Sequence, residues 1–232
     1  MQDITNLLLL SGPSGGGKST FARLLKEGGL PAEIARQLPA QARRWPLVDV
    51  TNHMRRQIED EGDAAAIAAL GNPTELILHY DITTVHRYGL GGYESDPALR
   101  LLRSARNIAV VFVCPDAERL YTQFVDRDAI RQARKSAAAR TWNKTVLAPL
   151  RKLRLRLAGQ TLNGERSLYS DPDWIRRCYR AWDSYIVALA HGGAAQHIVR
   201  IAPCASGAGE TAFRVMSEPV WQAAPADDGD LH

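Results

Sequence analysis

The stretch Gly12-Pro13-Ser14-Gly15-Gly16-Gly17-Lys18-Ser19 satisfies G-x-x-x-x-G-K-[ST] at every fixed position, and no other feature narrows the fold of this chain so far. The spacing has a physical reason. Glycines let the backbone curl until successive N–H groups point inward, with no side chain in the way of a phosphate. A helix that starts beside Lys18 adds the partial positive charge of its N-terminus. In such a cradle Lys18 reaches the β- and γ-phosphates of a nucleoside triphosphate, and the Ser19 hydroxyl is a ligand for Mg²⁺. The candidate phosphate-binding set is therefore Gly12, Ser14, Gly15, Gly16, Gly17, Lys18, Ser19 and Thr20.

The flanking residues suit that reading. Leu7 to Leu10 is a continuous apolar run, as expected of a buried parallel strand. Lys18 to Leu25 reads as a helix with Phe21, Leu24 and Leu25 on one face, stopped by Gly28-Gly29. Leu47–Val50, Glu75–Tyr80, Ile108–Val113 and His197–Ile201 read as further strands, and residues 54–70, 97–106 and 173–189 as helices. In the last of these Trp174, Cys178, Trp182, Tyr185 and Leu189 form an apolar stripe expected to be core. Residues 83–95 read as a long loop. Short apolar strands alternating with helices predict an α/β domain: a mainly parallel sheet with helices on both faces, over residues 1–204. Residues 117–170 read as a helical, basic lid, and residues 205–232 as a partly disordered tail rich in Ala, Gly, Asp and Pro.

With these residues the chain resembles the P-loop NTPases, and within them the small kinases similar to nucleoside-monophosphate kinases. Ser11 to Thr20 is particularly close to the opening of guanylate kinases. That likeness covers the first strand, the loop and the following helix. Residues 28–60 lack the Thr-Thr-Arg and Pro-Arg pattern that guanylate kinases use for the guanine nucleotide, and the chain has no Leu-Ser-Gly-Gly-Gln transporter signature. The resemblance implies a three-layer P-loop fold and an enzyme transferring the γ-phosphoryl group of Mg²⁺-ATP to a small acceptor such as a sugar, a nucleotide or another metabolite.

Such a site needs an acid near the magnesium, usually at the end of a neighbouring strand. Asp81 follows Glu-Leu-Ile-Leu-His-Tyr and is the first candidate metal residue beside Ser19. Asp49 ends the second strand; by resemblance it orients or deprotonates the acceptor hydroxyl, a general base within hydrogen-bond reach. Thr51, Asn52, Arg55 and Arg56 are candidates for the same acceptor pocket, or for a solvated helix start. His79 and His86 flank Asp81, but H-x-D-x₄-H matches no strong ligand pattern, and Mg²⁺ prefers oxygen. By resemblance again, Arg127 and Arg131, one turn apart, stand where lid arginines neutralise the transferring phosphoryl group, which suits a planar, permanently charged side chain.

Composition limits the remaining choices. A hydrophobic share of 45% over 232 residues suffices for one continuous core. The net charge of +4 favours anionic ligands without implying nucleic acid. Residues 119–180 are strongly basic, which raises an alternative, a kinase acting on nucleic-acid ends. The plainer reading is a helix that buries Leu147, Leu150, Leu153 and Leu157 and exposes its arginines. A regulatory NTPase without a small acceptor is the other alternative. Three scattered cysteines, with no basic-start leader and no apolar span of about 20 residues, predict reduced thiols in a cytoplasmic protein with no membrane partner.

Overall fold

The leucine run that precedes the glycine-rich loop lies at the centre of a six-stranded sheet of order β2-β3-β1-β4-β5-β6. The structure is a computed structural model and describes residues 4–83, 92–126, 172–205 and 211–217. Its strands are β1 (Ile4–Gly12), β2 (Leu47–Asp49), β3 (Glu75–Asp81), β4 (Ala105–Val113), β5 (Ala195–Ala205) and β6 (Thr211–Val215). The helices are α1 (Lys18–Glu27), α2 (Ala32–Ala35), α3 (Asn52–Glu61), α4 (Asp63–Ala69) and α5 (Pro172–His191), with 3₁₀ segments at Ala42–Arg44, Gly92–Ser95 and Pro97–Ser104. The first five strands in sheet order run parallel and β6 is antiparallel to β5, so the protein is α/β with a mostly parallel sheet.

The alternation of the parallel strands explains their unbroken apolar sequences, because both faces are buried. Leu8, Leu10, Ile77, Val111, Val113, Val199 and Ile201 share one core with Phe21, Ala22 and Leu25 of α1 and with Phe213 of β6. Phe21 and Phe213 meet edge to face at 5.4 Å, a contact worth about 0.5–1.5 kcal/mol beyond the area it buries. Residues of the other parity are buried as well. On that side Tyr80 stacks on Trp182 of α5 at 5.0 Å, and Phe112 meets Tyr179 edge to face.

Contacts divide the chain into two units, residues 1–116 with 176–232, and residues 117–175. In the second unit the described residues are 117–126, which are helical, and 172–175, the first turn of α5. No helix among the described residues is long and apolar enough to cross a membrane.

Five elements differ from the sequence reading. Residues 54–70 form two helices rather than one, because Gly62 sits at φ 87° and ψ 171°, both ending α3 and opening α4. Only glycine adopts that conformation at low cost. Residues 97–104 are 3₁₀ rather than α, and β4 starts three residues earlier than its apolar run, at Ala105. The buried stripe of α5 is Ile175, Cys178, Tyr179, Trp182 and Ile186; Trp174, Tyr185 and Leu189 are only half-buried, a small rotation of the expected face. Finally, β6 lies in the stretch read as tail, where one buried aromatic, Phe213, supplies its anchor.

The cysteines are free thiols. Burial pushes the Cys178 thiol up to about 12 and holds the Cys114 thiol well above its ordinary value, while Cys204 is half-buried on β5. Since the thiolate is the reactive form, iodoacetamide at pH 8 should modify Cys204 in the native protein and reach the other two only after unfolding. Mass spectrometry of the alkylated peptides checks this, and rapid labelling of Cys114 would contradict the packing described.

Candidate active site

The parallel register brings the candidate residues to one edge of the sheet. β1 ends at Gly12 directly opposite Asp81, the last residue of β3, and β2 ends at Asp49 opposite His79. After β1 the chain leaves for β2 and β3 on one side, and after β3 it crosses to β4 on the other. Ligands of open α/β sheets bind at such a reversal, outside the carboxyl ends of the strands.

The loop between β1 and α1 has the backbone that its glycines predicted. Gly12, Gly15 and Gly17 have φ values of 152°, 71° and 97°. A Cβ at Gly12 would lie 2.6 Å from the carbonyl oxygen of Val113, and one at Gly16 would lie 3.0 Å from Pro13. Gly12→Ala is therefore expected to cost about 1–3 kcal/mol, since it presses on backbone that cannot yield. Thermal denaturation tests it; an unchanged midpoint would mean that the loop tolerates side chains.

Gly17 caps α1 without a side-chain hydrogen bond, and the first turn carries no acid. The leading N–H groups of a helix have no intrahelical acceptor, so they remain available to an anion. Lys18 is 5% exposed and folds back over its own loop, donating from Nζ to the carbonyls of Gly12 at 2.9 Å and Pro13 at 2.7 Å. Burial lowers its pKa, against the charges of Asp81 and, less strongly, Asp49. That both carboxylates act on Lys18 places the three groups in one electrostatic neighbourhood. Ser19 is exposed; Ser14 and Thr20 are half-buried.

Asp81 is half-buried, and its Oδ1 accepts from the backbone N–H of Thr83 at 2.9 Å and from the Thr83 hydroxyl at 2.6 Å. These bonds hold the carboxylate in one rotamer. Asp49 is the opposite case. Its side chain is 70% exposed and its Oδ1 meets Nδ1 of His79, which is 18% exposed.

Of the candidates for the acceptor pocket, Arg55 is withdrawn from it. Its guanidinium is buried and engages both oxygens of Asp96, with Nε at 3.0 and 3.1 Å and an NH₂ nitrogen at 3.0 Å. Tyr80 donates to the same carboxylate at 2.7 Å, and the N–H of Ala98 donates at 3.0 Å, capping the 3₁₀ segment. Burial opposes the arginine's charge, yet Asp96 raises its pKa through hydrogen bonds and charge. Thr51 accepts from the N–H of Met54 as the N-cap of α3, and Asn52 and Arg56 are exposed. Neither Asp96 nor the pairing of His79 with Asp49 was foreseen from the sequence. An Asp-Pro pair opening a helix-like run was the available signal for the cap. Arg127, Arg131 and His86 lie outside the described residues.

Among the described residues no three or more His, Cys, Asp or Glu side chains cluster as a metal site. The donors present fit magnesium none the less, which binds through one or two protein oxygens together with water and phosphate. The Ser19 hydroxyl and the Asp81 carboxylate are such oxygens, and Gly15, Gly16 and Gly17 put no side chain in the way of a phosphate at the start of α1. No known family model matches the sequence, and no curated protein matches it.

Proposed function

We propose that this protein is an ATP-dependent kinase of the three-layer P-loop class, transferring the γ-phosphoryl group of Mg²⁺-ATP to a small acceptor. The observation that carries the reading is the convergence at one sheet edge. The glycine loop, buried Lys18, Asp81 opposite Gly12, and Asp49 on the next strand form one neighbourhood. When bound, Mg²⁺-ATP supplies the phosphoryl group and much of the charge neutralisation; the chain's task is positioning.

In this reading the N–H groups of Gly15 and of Gly17 to Thr20 hold the phosphates, while that of Gly16 is donated to the Pro13 carbonyl. Lys18 exchanges a loop carbonyl for a phosphate oxygen, and Ser19 and Asp81 hold the metal or its water. Asp49, exposed at the end of β2, takes the acceptor's proton. Arg127 and Arg131 belong to the reading as neutralising lid residues, on the strength of their sequence position.

ADP release from Mg²⁺-ATP, with and without a pool of small metabolites, tests it, with Lys18→Ala as control. Stimulation by the pool, absent in the variant, is the expected outcome. A Lys18-dependent rate that the pool leaves unchanged would refute the small-acceptor kinase and favour a regulatory NTPase. Stimulation by oligonucleotide alone, lost steeply as salt rises, would favour the nucleic-acid-end enzyme.

A further inference from the structure

Asp49 is the last residue of an edge strand only three residues long, and most of its side chain is in water. A carboxylate so placed samples several rotamers, which is a poor arrangement for a base that must meet a hydroxyl within hydrogen-bond distance. Among the described residues, the contact with His79 restrains it. The His79 ring, on the neighbouring strand at the same register position, is largely covered and presents Nδ1 to Asp49 Oδ1. A carboxylate is an acceptor only, so the shared hydrogen belongs to Nδ1, and a ring carrying one hydrogen keeps a bare lone pair on Nε2. That Nε2 is buried and meets no hydrogen-bond partner among the described residues. Burying an unsatisfied polar atom is unfavourable, and an aliphatic side chain in the same strand position would avoid it. The histidine therefore has a use on its other nitrogen.

Resting on the kinase reading, we propose that His79 is a positioning residue: through Nδ1–H it holds the Asp49 carboxylate toward the acceptor, whose reactive group is then an alcohol. The step balances simply. The acceptor oxygen bonds to the γ-phosphorus as the bond to the β,γ-bridging oxygen breaks, and that electron pair leaves with ADP. The acceptor's proton passes to Asp49 and then to water. An anionic acceptor oxygen would need no base and would be repelled by Asp49. The buried arginine nearest on the chain, Arg55, is already engaged by Asp96.

Two measurements on the full chain decide the matter. The first needs no acceptor. Nitrogen-15 NMR of the histidine rings, with the His79 signals identified by their loss in His79→Asn, should find Nδ1 protonated and Nε2 bare. In Asp49→Ala the ring should move toward the Nε2–H form. An Nε2–H ring in the wild type, or one indifferent to Asp49→Ala, overturns the assignment. The second is turnover of Mg²⁺-ATP with a defined mixture of neutral sugars, polyols and nucleosides. His79→Phe, which keeps the ring's bulk without a donor, should lower kcat about 10–100-fold with KM for ATP within about twofold. His79→Asn, whose amide offers an N–H near the Nδ1 position, should recover most of the loss. Full activity in His79→Phe, or equal loss in both variants, overturns the positioning role and leaves the kinase standing. A wild type that this mixture does not stimulate, though the metabolite pool does, overturns the alcohol acceptor. No stimulation by either overturns the kinase reading itself, and the positioning role with it.

Discussion

Replacing Asp96 with alanine is expected to lower the unfolding free energy by about 3–5 kcal/mol, because it strands the Arg55 guanidinium in the interior without its counter-charge. Arg55 and Asp96 side chains are 4% and 2% exposed, so water cannot substitute for the lost carboxylate. The same substitution removes the acceptor of the Tyr80 hydroxyl and the cap of the 3₁₀ segment from Pro97. Tyr80 lies next to Asp81, and Arg55 sits in the first turn of α3, just beyond Asp49 and Val50. The network thus ties together the ends of β3 and β2 that carry both candidate acids. Asp96→Asn keeps an acceptor and the cap but loses the charge, so it should fall between wild type and alanine. Urea unfolding with a constant slope measures both. An alanine variant within about 1 kcal/mol of wild type would mean that the arginine finds another partner or reaches water, and the account of this interior would be wrong.

On the proposed kinase reading, Lys18→Ala is expected to reduce ADP release by about 100- to 1,000-fold, the usual loss when one charged group aimed at a transferring phosphoryl is removed. Its effect on stability should be small, because two opposing terms nearly cancel. The variant loses two hydrogen bonds to loop carbonyls, each worth about 1 kcal/mol, but it also loses a buried charge. The sign of the pH dependence follows. Burial lowers the Lys18 pKa from 10.5, so below its folded value the folded state bears the cost of the charge. That cost is relieved as pH rises toward 10.5, and wild type should gain stability relative to Lys18→Ala over that alkaline interval. Lys18→Arg is not a rescue, since the curl that encloses an ammonium has no room for a planar fork. A Lys18→Ala protein that still releases ADP at the wild-type rate would remove the loop from the chemistry.

Much of this architecture is legible in the residues because its causes are local. The left-handed positions at Gly15 and Gly17 disfavour a Cβ wherever the rest of the chain goes, whereas the crowding at Gly12 comes from Val113 on a neighbouring strand. The runs Leu7–Leu10 and Ile108–Val113 read as strands because a parallel strand buried on both faces must be apolar throughout. Gly28 ends α1 in the left-handed conformation, as a glycine after a helix commonly does. Asp49 and Asp81 were found as strand-ending acids for the same reason.

What the residues did not disclose depends on partners distant in sequence. Gly62 resembles any tolerated glycine until its backbone angles are known. Phe213 reads as part of a polar tail until Phe21, nearly two hundred residues earlier, covers it. Arg55 looks like a ligand-binding arginine because its sequence neighbours are polar; 41 residues on, Asp96 turns it into a structural ion pair. His79 meets Asp49 across 30 residues, only because β2 and β3 pair in that register. The sequence by itself determined the glycine-rich loop, the strand-and-helix alternation and the two strand-ending acids, each set largely by local preferences. The tertiary structure decided which charges face the site and which are spent inside the protein, because charge pairing depends on distances that the sheet alone sets.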